Sequence, residues 1–320
     1  MSQPLFGRQG SAKVDKFLSD ISIRYSNLDY VFPHVLPMVK VKEKTGLIPK
    51  YGKETLRILG KVVTGVYLSG TLRAPGARAK GVEFTYNQGQ YICAEHSLEK
   101  DIPWDYYKNV DSPYEPTRDA TAAVKDLLQL EQEFALATVL ANITTIGNSS
   151  PTYKWDNAAQ GTPVTDLENA VKSIQLATGR TPNVLVLSLD AFWALKNHPQ
   201  FRDQIKYTNG GQVSNEDAYG ALKTLLNVKE VYVGTAIFNN AAVGEADNIQ
   251  PIWSKNAYLF YRTPSATIME PTFGATFCDV PDVVDGWPEV DHKRDMIRDS
   301  VSYDQNIIEP KCGFRIAALS

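Results

Sequence analysis

The longest regular patterning in the chain runs over residues 117–144. Ala123, Leu127, Leu130, Phe134, Ala137 and Ala141 recur at helical spacing, and apolar positions three and four apart share one face of a helix. Thr117 is placed to cap the start, and Gly147 falls just after the end. At 1.5 Å per residue the helix spans roughly 40 Å, enough to be the spine of one subdomain. Its core face is predicted to rest on Leu127, Leu130 and Phe134.

A two-residue period takes over in 41–96. VKVKEKTGLIPKY alternates at its start, and Val82, Phe84 and Tyr86 alternate with Glu83, Thr85 and Asn87, the signature of half-buried strands. Between these strands lies Ser69–Gly81, SGTLRAPGARAKG, with small residues, three cations (Arg73, Arg78, Lys80) and no acid. Such a stretch reads as a projecting tip. It lacks the GxxxxGK(S/T) arrangement that wraps backbone amides around a phosphate, so a protein contact is the preferred reading over a nucleotide loop. Ahead of it, residues 1–40 read as an extended arm. Phe17, Ile21, Tyr25 and Leu28 give Val14–Tyr30 some helical periodicity, and Pro33 and Pro37 impose an extended path. The arm's apolar surface suits either a neighbouring subunit or the chain's own core.

Residues 97–116 carry three prolines among Trp104, Tyr106, Tyr107 and Tyr114 and read as an irregular connector. After the long helix, Asn148–Pro163 is a polar linker, and 164–262 reads as a compact α/β unit. Thr165–Glu168 fits a capping box that opens a helix ending near Gly179. Strand Val184–Leu187 runs into LSLDAFWALKNHPQ, Leu187–Gln200. There Ser188 is a natural N-cap and Asp190 suits the helix dipole. Phe192 and Leu195 share a face, and Pro199 ends the helix. A loop around Asn209–Gly211, a helix from Ser214 to Leu226 and strand Val231–Val233 follow; from Ser265 onward short strands return in ATIME, ATFCD and CGFRIAAL.

Composition narrows the class. A 320-residue chain that is 43% apolar, with mean hydropathy −0.26, can bury a large core in two subdomains. No apolar run is long enough to span a bilayer, and the first residues lack the apolar centre of a secretory signal. Net charge −3 and pI near 5.9 give no strong global pull toward nucleic acid. Cys93, Cys278 and Cys312 are odd in number and far apart. They define no disulfide framework and no zinc motif, which suits a reducing cytoplasm.

Catalytic patterns are missing. None of His34, His96, His198 and His292 stands at metal-ligand spacing to another histidine or a cysteine, and GxSxG, HExxH and GxGxxG do not occur. Asp279, Asp282, Asp285, Glu289 and Asp291 form an acidic stretch without EF-hand spacing; Pro281 and Pro288 make it read as a solvated loop. Glu131 and Glu133 fall on different faces of the long helix and so are not an acid/base pair. No catalytic residue, metal ligand or cofactor is assigned.

With RAPG at Arg73–Gly76, EFALATVLAN at Glu133–Asn142 and LSLDAFWALKNHP at Leu187–Pro199, the chain resembles the major capsid proteins of tailed double-stranded DNA bacteriophages, which have the Hong Kong 97 fold. The resemblance implies an α+β fold divided into an N-terminal arm (1–40), an extended loop with flanking strands (41–96), and a peripheral subdomain (97–163) with its spine helix at 117–144. An α/β axial subdomain (164–262) and a return to the peripheral subdomain (263–320) complete it. It implies a non-enzymatic subunit that assembles into pentamers and hexamers of an icosahedral head around non-specifically held DNA. Residence in the virion, after assembly in the host cytoplasm, follows from it, and no membrane partner does. Arg73, Arg78 and Lys80 become expected intersubunit contacts. Some members carry a long cleaved scaffolding segment; here the arm is short, so a separate scaffolding protein is expected, with a portal and a possible decoration protein. No feature marks a Lys–Asn crosslinking pair. Two alternatives stand beside this reading: a bacterial encapsulin-type compartment holding protein cargo, and an α/β enzyme without a recognisable site.

Overall fold

The computed structural model describes residues 13–14, 30–51, 61–63, 66–68, 70–79, 81, 86–109, 115–206, 214–242, 244–253, 255–263, 270–317 and 319. Apart from edge residues, the arm helix expected over 14–30, the alternation at 82–85, the loop at 209–211 and the ATIME strand lie outside them.

Strand β1 (Lys13–Val14), the short helix α1 (Phe32–Val35) and β2 (Met38–Lys40) come first. Strand β3 (Thr45–Tyr51), the hairpin of β4 (Lys61–Val63) and β5 (Val66–Leu68), and β6 (Tyr86–Ile92) make up the extended loop; β3 pairs antiparallel with β6, from Thr45 opposite Ile92 to Tyr51 opposite Tyr86. Strand β7 (Ala94–Pro103), the single turn α2 (Tyr106–Asn109) and the long helix α3 (Pro116–Asn142) follow. The α/β unit is built from β8 (Gly147–Ser149), α4 (Pro163–Thr178), β9 (Val184–Ser188), α5 (Leu189–Asn197), α6 (Pro199–Lys206), α7 (Asn215–Leu226) and β10 (Glu230–Gly234). A hairpin of β11 (Ile237–Asn239) and β12 (Ile249–Pro251), then β13 (Ala257–Phe260), lead to the long β14 (Gly274–Glu289) and β15 (Arg294–Ile307), and to β16 (Gly313–Ile316).

Two five-stranded sheets organise these elements. The first runs β10-β9-β13-β16-β8. All five residues of β9 are buried, as a strand covered on both faces requires. Leu185 and Leu187, with Ala257 and Leu259 of β13, meet the core under Leu167, Ile174, Phe192, Leu195 and Leu222. Val184 and Val186, with Tyr258 and Phe260, meet a second core that takes in Phe32, Val35, Leu136 and Leu140. The two-residue alternation of the strands thus splits one sheet between two cores. The second sheet runs β1-β14-β15-β7, with β2 parallel to β14.

Local signals in the α/β unit appear where the sequence placed them. The Ser188 hydroxyl accepts the Ala191 N–H at 3.3 Å, and Phe192 and Leu195 are buried. Gly179 closes α4 at φ 71°, a left-handed cap that suits glycine. Ser214 caps α7 through a reciprocal box with Asp217. Pro199 both ends α5 and opens α6, because proline's missing N–H costs nothing in a first turn.

Other expectations are corrected. Pro33 sits in the first turn of α1 rather than in an extended path. The connector 97–116 begins as strand, with β7 pairing along β15. No side chain caps α4: its N-cap is Thr162, and Thr165 lies inside the helix. Nor does Thr117 cap α3; it lies within the first turn, its hydroxyl 3.1 Å from that of Tyr107. The acidic stretch is the far half of β14, which reaches Glu289 and meets β15 at a turn over Val290–His292. Its prolines are tolerated because Pro281 falls where the register shifts between Val280 and Val283, and Pro288 lies past the two-residue pairing with β1. The span 263–320 does not stay in one unit: β16 pairs with β13 and β8 in the α/β sheet.

The phase of α3 is the largest correction. Leu127 is 54% exposed and Phe134 43% exposed. Leu130 is half-buried against the second core. The buried face holds Ala120, Val124, Leu128, Leu136, Ala137 and Leu140 together with Thr121, Lys125, Gln132 and Glu133. A shift of one residue turns a helix by about 100°. Choosing the largest apolar side chains missed a face on which polar residues are buried, two of them, Lys125 and Glu133, held by distant partners. Lys125 Nζ, for example, bonds Asp282 Oδ2 at 2.6 Å.

Candidate assembly surfaces

The extended loop ends in residues 70–79, all exposed or half-exposed. A turn in which the Ala77 N–H donates to the Ala74 carbonyl at 3.0 Å, with Gly76 at φ 81°, holds the tip. Leu72 is 89% exposed, and Arg73 and Arg78 are exposed beside it. Lys80 lies outside the described residues. The tip therefore presents an apolar side chain flanked by two cations.

A second surface is the outer face of α3. Leu127, Phe134 and Val139 are exposed there with Glu131 and Asp119, and the Phe134 ring meets Phe238 of β11 edge-on at 5.0 Å. Sequence reasoning assigned Leu127 and Phe134 to the core; in the single subunit they form a partly exposed apolar strip, a feature that marks interaction surfaces.

Three carboxylates of the acidic stretch, Asp282, Asp285 and Glu289, are paired with cations. Arg298 on β15 reaches Asp285 on β14 at 3.0 Å and Glu99 on β7 at 3.6 Å. Arg294 pairs with Glu289 and reaches Asp101 at 3.4 Å. These cross-strand pairs fix register more than they add stability, since exposed pairs are worth about 0–1 kcal/mol. The Lys125–Asp282 pair is more deeply placed, and beside it lies Asp299, whose two carboxylate oxygens have no hydrogen-bond partner among the described residues. Burial, then the Asp282 carboxylate, push the Asp299 carboxyl up to about 6, against the pull of Lys125.

The histidines stay apart. His198 Nδ1 accepts the Gln200 N–H at 3.2 Å, so Nε2 carries the proton and donates to the Asn157 carbonyl at 3.3 Å. Both ring nitrogens serve the loop that shapes an open groove of about 500 Å³ beside Trp155, Asp190 and Trp193. His34 stacks on Tyr232 at 4.2 Å, and His96 stacks on Tyr303 at 4.6 Å. Among the described residues no group of His, Cys, Asp or Glu is arranged to hold a metal ion, and no helix is long and apolar enough to cross a membrane. The three cysteines are buried and form no disulfide among the described residues; burial, before the neighbouring acids, pushes the Cys278 thiol up to about 11.

A helix-backed α/β sheet, a long antiparallel hairpin under one extended helix, and a projecting two-stranded loop define the Hong Kong 97 type of phage capsid fold, which this chain shares with solved structures. A phage-related protein from Bordetella bronchiseptica RB50 superposes with a TM-score of 0.72 at 24% identity, covering 97% of this chain and 98% of that one. The capsid structure of cyanophage P-SCSP1u gives 0.57 at 12% identity, covering 99% and 92%. A virus-like particle from Pyrococcus furiosus gives 0.54 at 12% identity, covering 93% and 95%. In sequence, the chain is 28% identical over 322 residues to the major capsid protein of Burkholderia phage BcepMu, spanning 96% of this chain and 97% of that protein. No protein-family model matches it.

Proposed function

We propose that the chain is the structural major capsid subunit of a tailed bacteriophage. Copies assemble into pentamers and hexamers of an icosahedral shell enclosing double-stranded DNA. The observation that carries this reading is the near full-length similarity to the BcepMu major capsid protein. The exposed tip and the uncovered strip on α3 supply surfaces for it, because both offer apolar groups that one subunit leaves in water. In this reading 1–40 is the arm, 41–96 the extended loop, 97–163 and most of 263–320 the peripheral subdomain, and 164–262 the axial one. Arg73, Arg78 and Lys80 contact a neighbouring copy. A separate scaffold, a portal and a possible decoration protein complete the head, which is built in the host cytoplasm, and DNA is held without sequence preference.

A second reading, a compartment for protein cargo, is compatible with the same fold, which a virus-like particle from Pyrococcus furiosus shares. Electron microscopy of the assembled protein, with its ultraviolet absorbance ratio, separates the two. Shells of genome size containing nucleic acid support the capsid. Small cages filled with protein support the compartment. A strictly monomeric protein at high concentration, with or without scaffold, defeats both.

A further inference from the structure

Glu133 lies on the buried face of α3 with none of its surface exposed. Its carboxylate gathers donors from two distant parts of the chain. Oε2 accepts the Phe32 N–H at 2.7 Å and the Val31 N–H at 3.0 Å; Oε1 accepts the same Val31 N–H at 3.1 Å and the Trp253 indole N–H at 2.5 Å. Three N–H groups converge on one acceptor-only side chain. A carboxylate fits such a pocket, whereas an amide would set its own N–H groups against them. Burial raises the carboxyl above its usual range, and the Trp253, Phe32 and Val31 donors oppose that.

Each donor belongs to a fixed element. Trp253 is buried, its ring lies over Gly234 at the end of β10, where any side chain would meet it, and it meets Tyr258 edge-on at 5.8 Å. Val31 and Phe32 open α1, and the preceding Tyr30 hydroxyl donates to Asp126 of α3 at 3.1 Å. One carboxylate therefore joins the root of the N-terminal segment to the long helix and, through Trp253, to the α/β sheet.

We infer that Glu133 is the positioning residue of the segment around α1: it fixes where residues 30–36 sit on the long helix, and shell assembly depends on that placement. The consequence for assembly rests on the capsid reading. The anchoring itself belongs to the lone subunit and is measurable there.

Two variants and one wild-type measurement test this. In Glu133→Gln, proteolytic cleavage near residues 30–36 should rise about tenfold or more, as expected from losing a charge-assisted hydrogen bond, while the rest of the chain stays resistant and shells fail to form. Ser188→Ala removes the α5 cap and touches none of these donors, so cleavage at 30–36 should stay near the wild-type rate and shells should form. In isolated wild-type subunits, hydrogen exchange in a peptide covering 30–36 should be slow. Fast exchange there overturns the inference even if Glu133→Gln does not fold. So does unchanged cleavage in Glu133→Gln, equal damage at 30–36 from Ser188→Ala, or normal shells from a Glu133→Gln subunit with a loosened root. Absence of shells from wild type together with slow exchange at 30–36 would refute the capsid reading and leave the anchor standing.

Discussion

The phase of α3 can be tested with two substitutions six residues apart. Leu140 has no exposed surface and shares a core with Phe32, Val35 and Trp253. Leu140→Ala removes three carbons, which at about 0.8 kcal/mol each amounts to about 2.4 kcal/mol of lost transfer energy. Incomplete collapse of the cavity adds about 1–2 kcal/mol, for about 3–4 kcal/mol in all. Phe134 is the larger side chain, but it is nearly half in water. Its specific partner is the Phe238 ring at 5.0 Å, an edge-on contact worth about 0.5–1.5 kcal/mol. With its partial burial, Phe134→Ala should cost about 1–2 kcal/mol. At roughly 2–4 °C per kcal/mol for a large chain, circular dichroism melts of unassembled subunits should show Leu140→Ala falling by about 6–16 °C and Phe134→Ala by about 2–8 °C. Shell yield should fall in both, in Phe134→Ala without loss of folded subunits. A Phe134→Ala melt as low as that of Leu140→Ala would show that the strip is covered within the subunit, and the reasoning would fail.

Three further outcomes are expected. Arg73→Glu combined with Arg78→Glu should leave the subunit melt unchanged while lowering shell yield and making assembly more salt-sensitive; normal assembly would refute the tip contact. Ser188→Ala should cost about 1 kcal/mol through the lost N-cap bond, read as a small drop in the melt, and no drop would mean that the cap bond to Ala191 contributes nothing. Asp299, raised to about 6 by burial and Asp282, has a folded-state pKa above its unfolded value of about 3.9. The folded chain then holds the extra proton between these values, and stability is lost as pH rises through about 4 to 6. Asp299→Asn should accordingly stabilise the subunit above pH 7, by up to about 2–3 kcal/mol, with a gain that shrinks as pH falls from 6 toward 4; a pH-independent gain would refute this.

Features fixed within a few residues were legible in the sequence. The Ser188 cap, the Gly179 stop, the Ser214 start and the burial of Phe192 and Leu195 each depend on neighbours inside one or two turns. The continuous burial of Val184–Ser188 was legible as an apolar run, though not as a strand facing two cores. What was hidden depends on residues far apart. Glu133 reads only as lying on a different face from Glu131, and Lys125 is not singled out, because their partners lie 101 and 157 positions away. The acidic strand read as a loop because its prolines are harmless only at a bulge and along an unpaired margin, which pairing alone creates. Of the candidate surfaces, the cationic tip was visible as a run without acids. The strip on α3 was not, because its residue types are those of a core and only the phase distinguishes the two.

The place of β16 bears on how the subunit is made. Residues 313–316 lie between β13 and β8, and β8 pairs with no other described strand. Arg315 of the same strand also donates to the Ala141 carbonyl at the end of α3. These residues leave the ribosome after every other strand of that sheet. Until they arrive, β8 has no partner among the described strands, the end of α3 lacks this donor, and the rest of the sheet ends at β13. Long-range closures of this kind are slow and leave edges open to wrong partners. A nascent chain thereby lacks the finished five-stranded sheet until residues 313–316 have been made, and the last strand synthesised is the one that joins β8 and α3 to the rest.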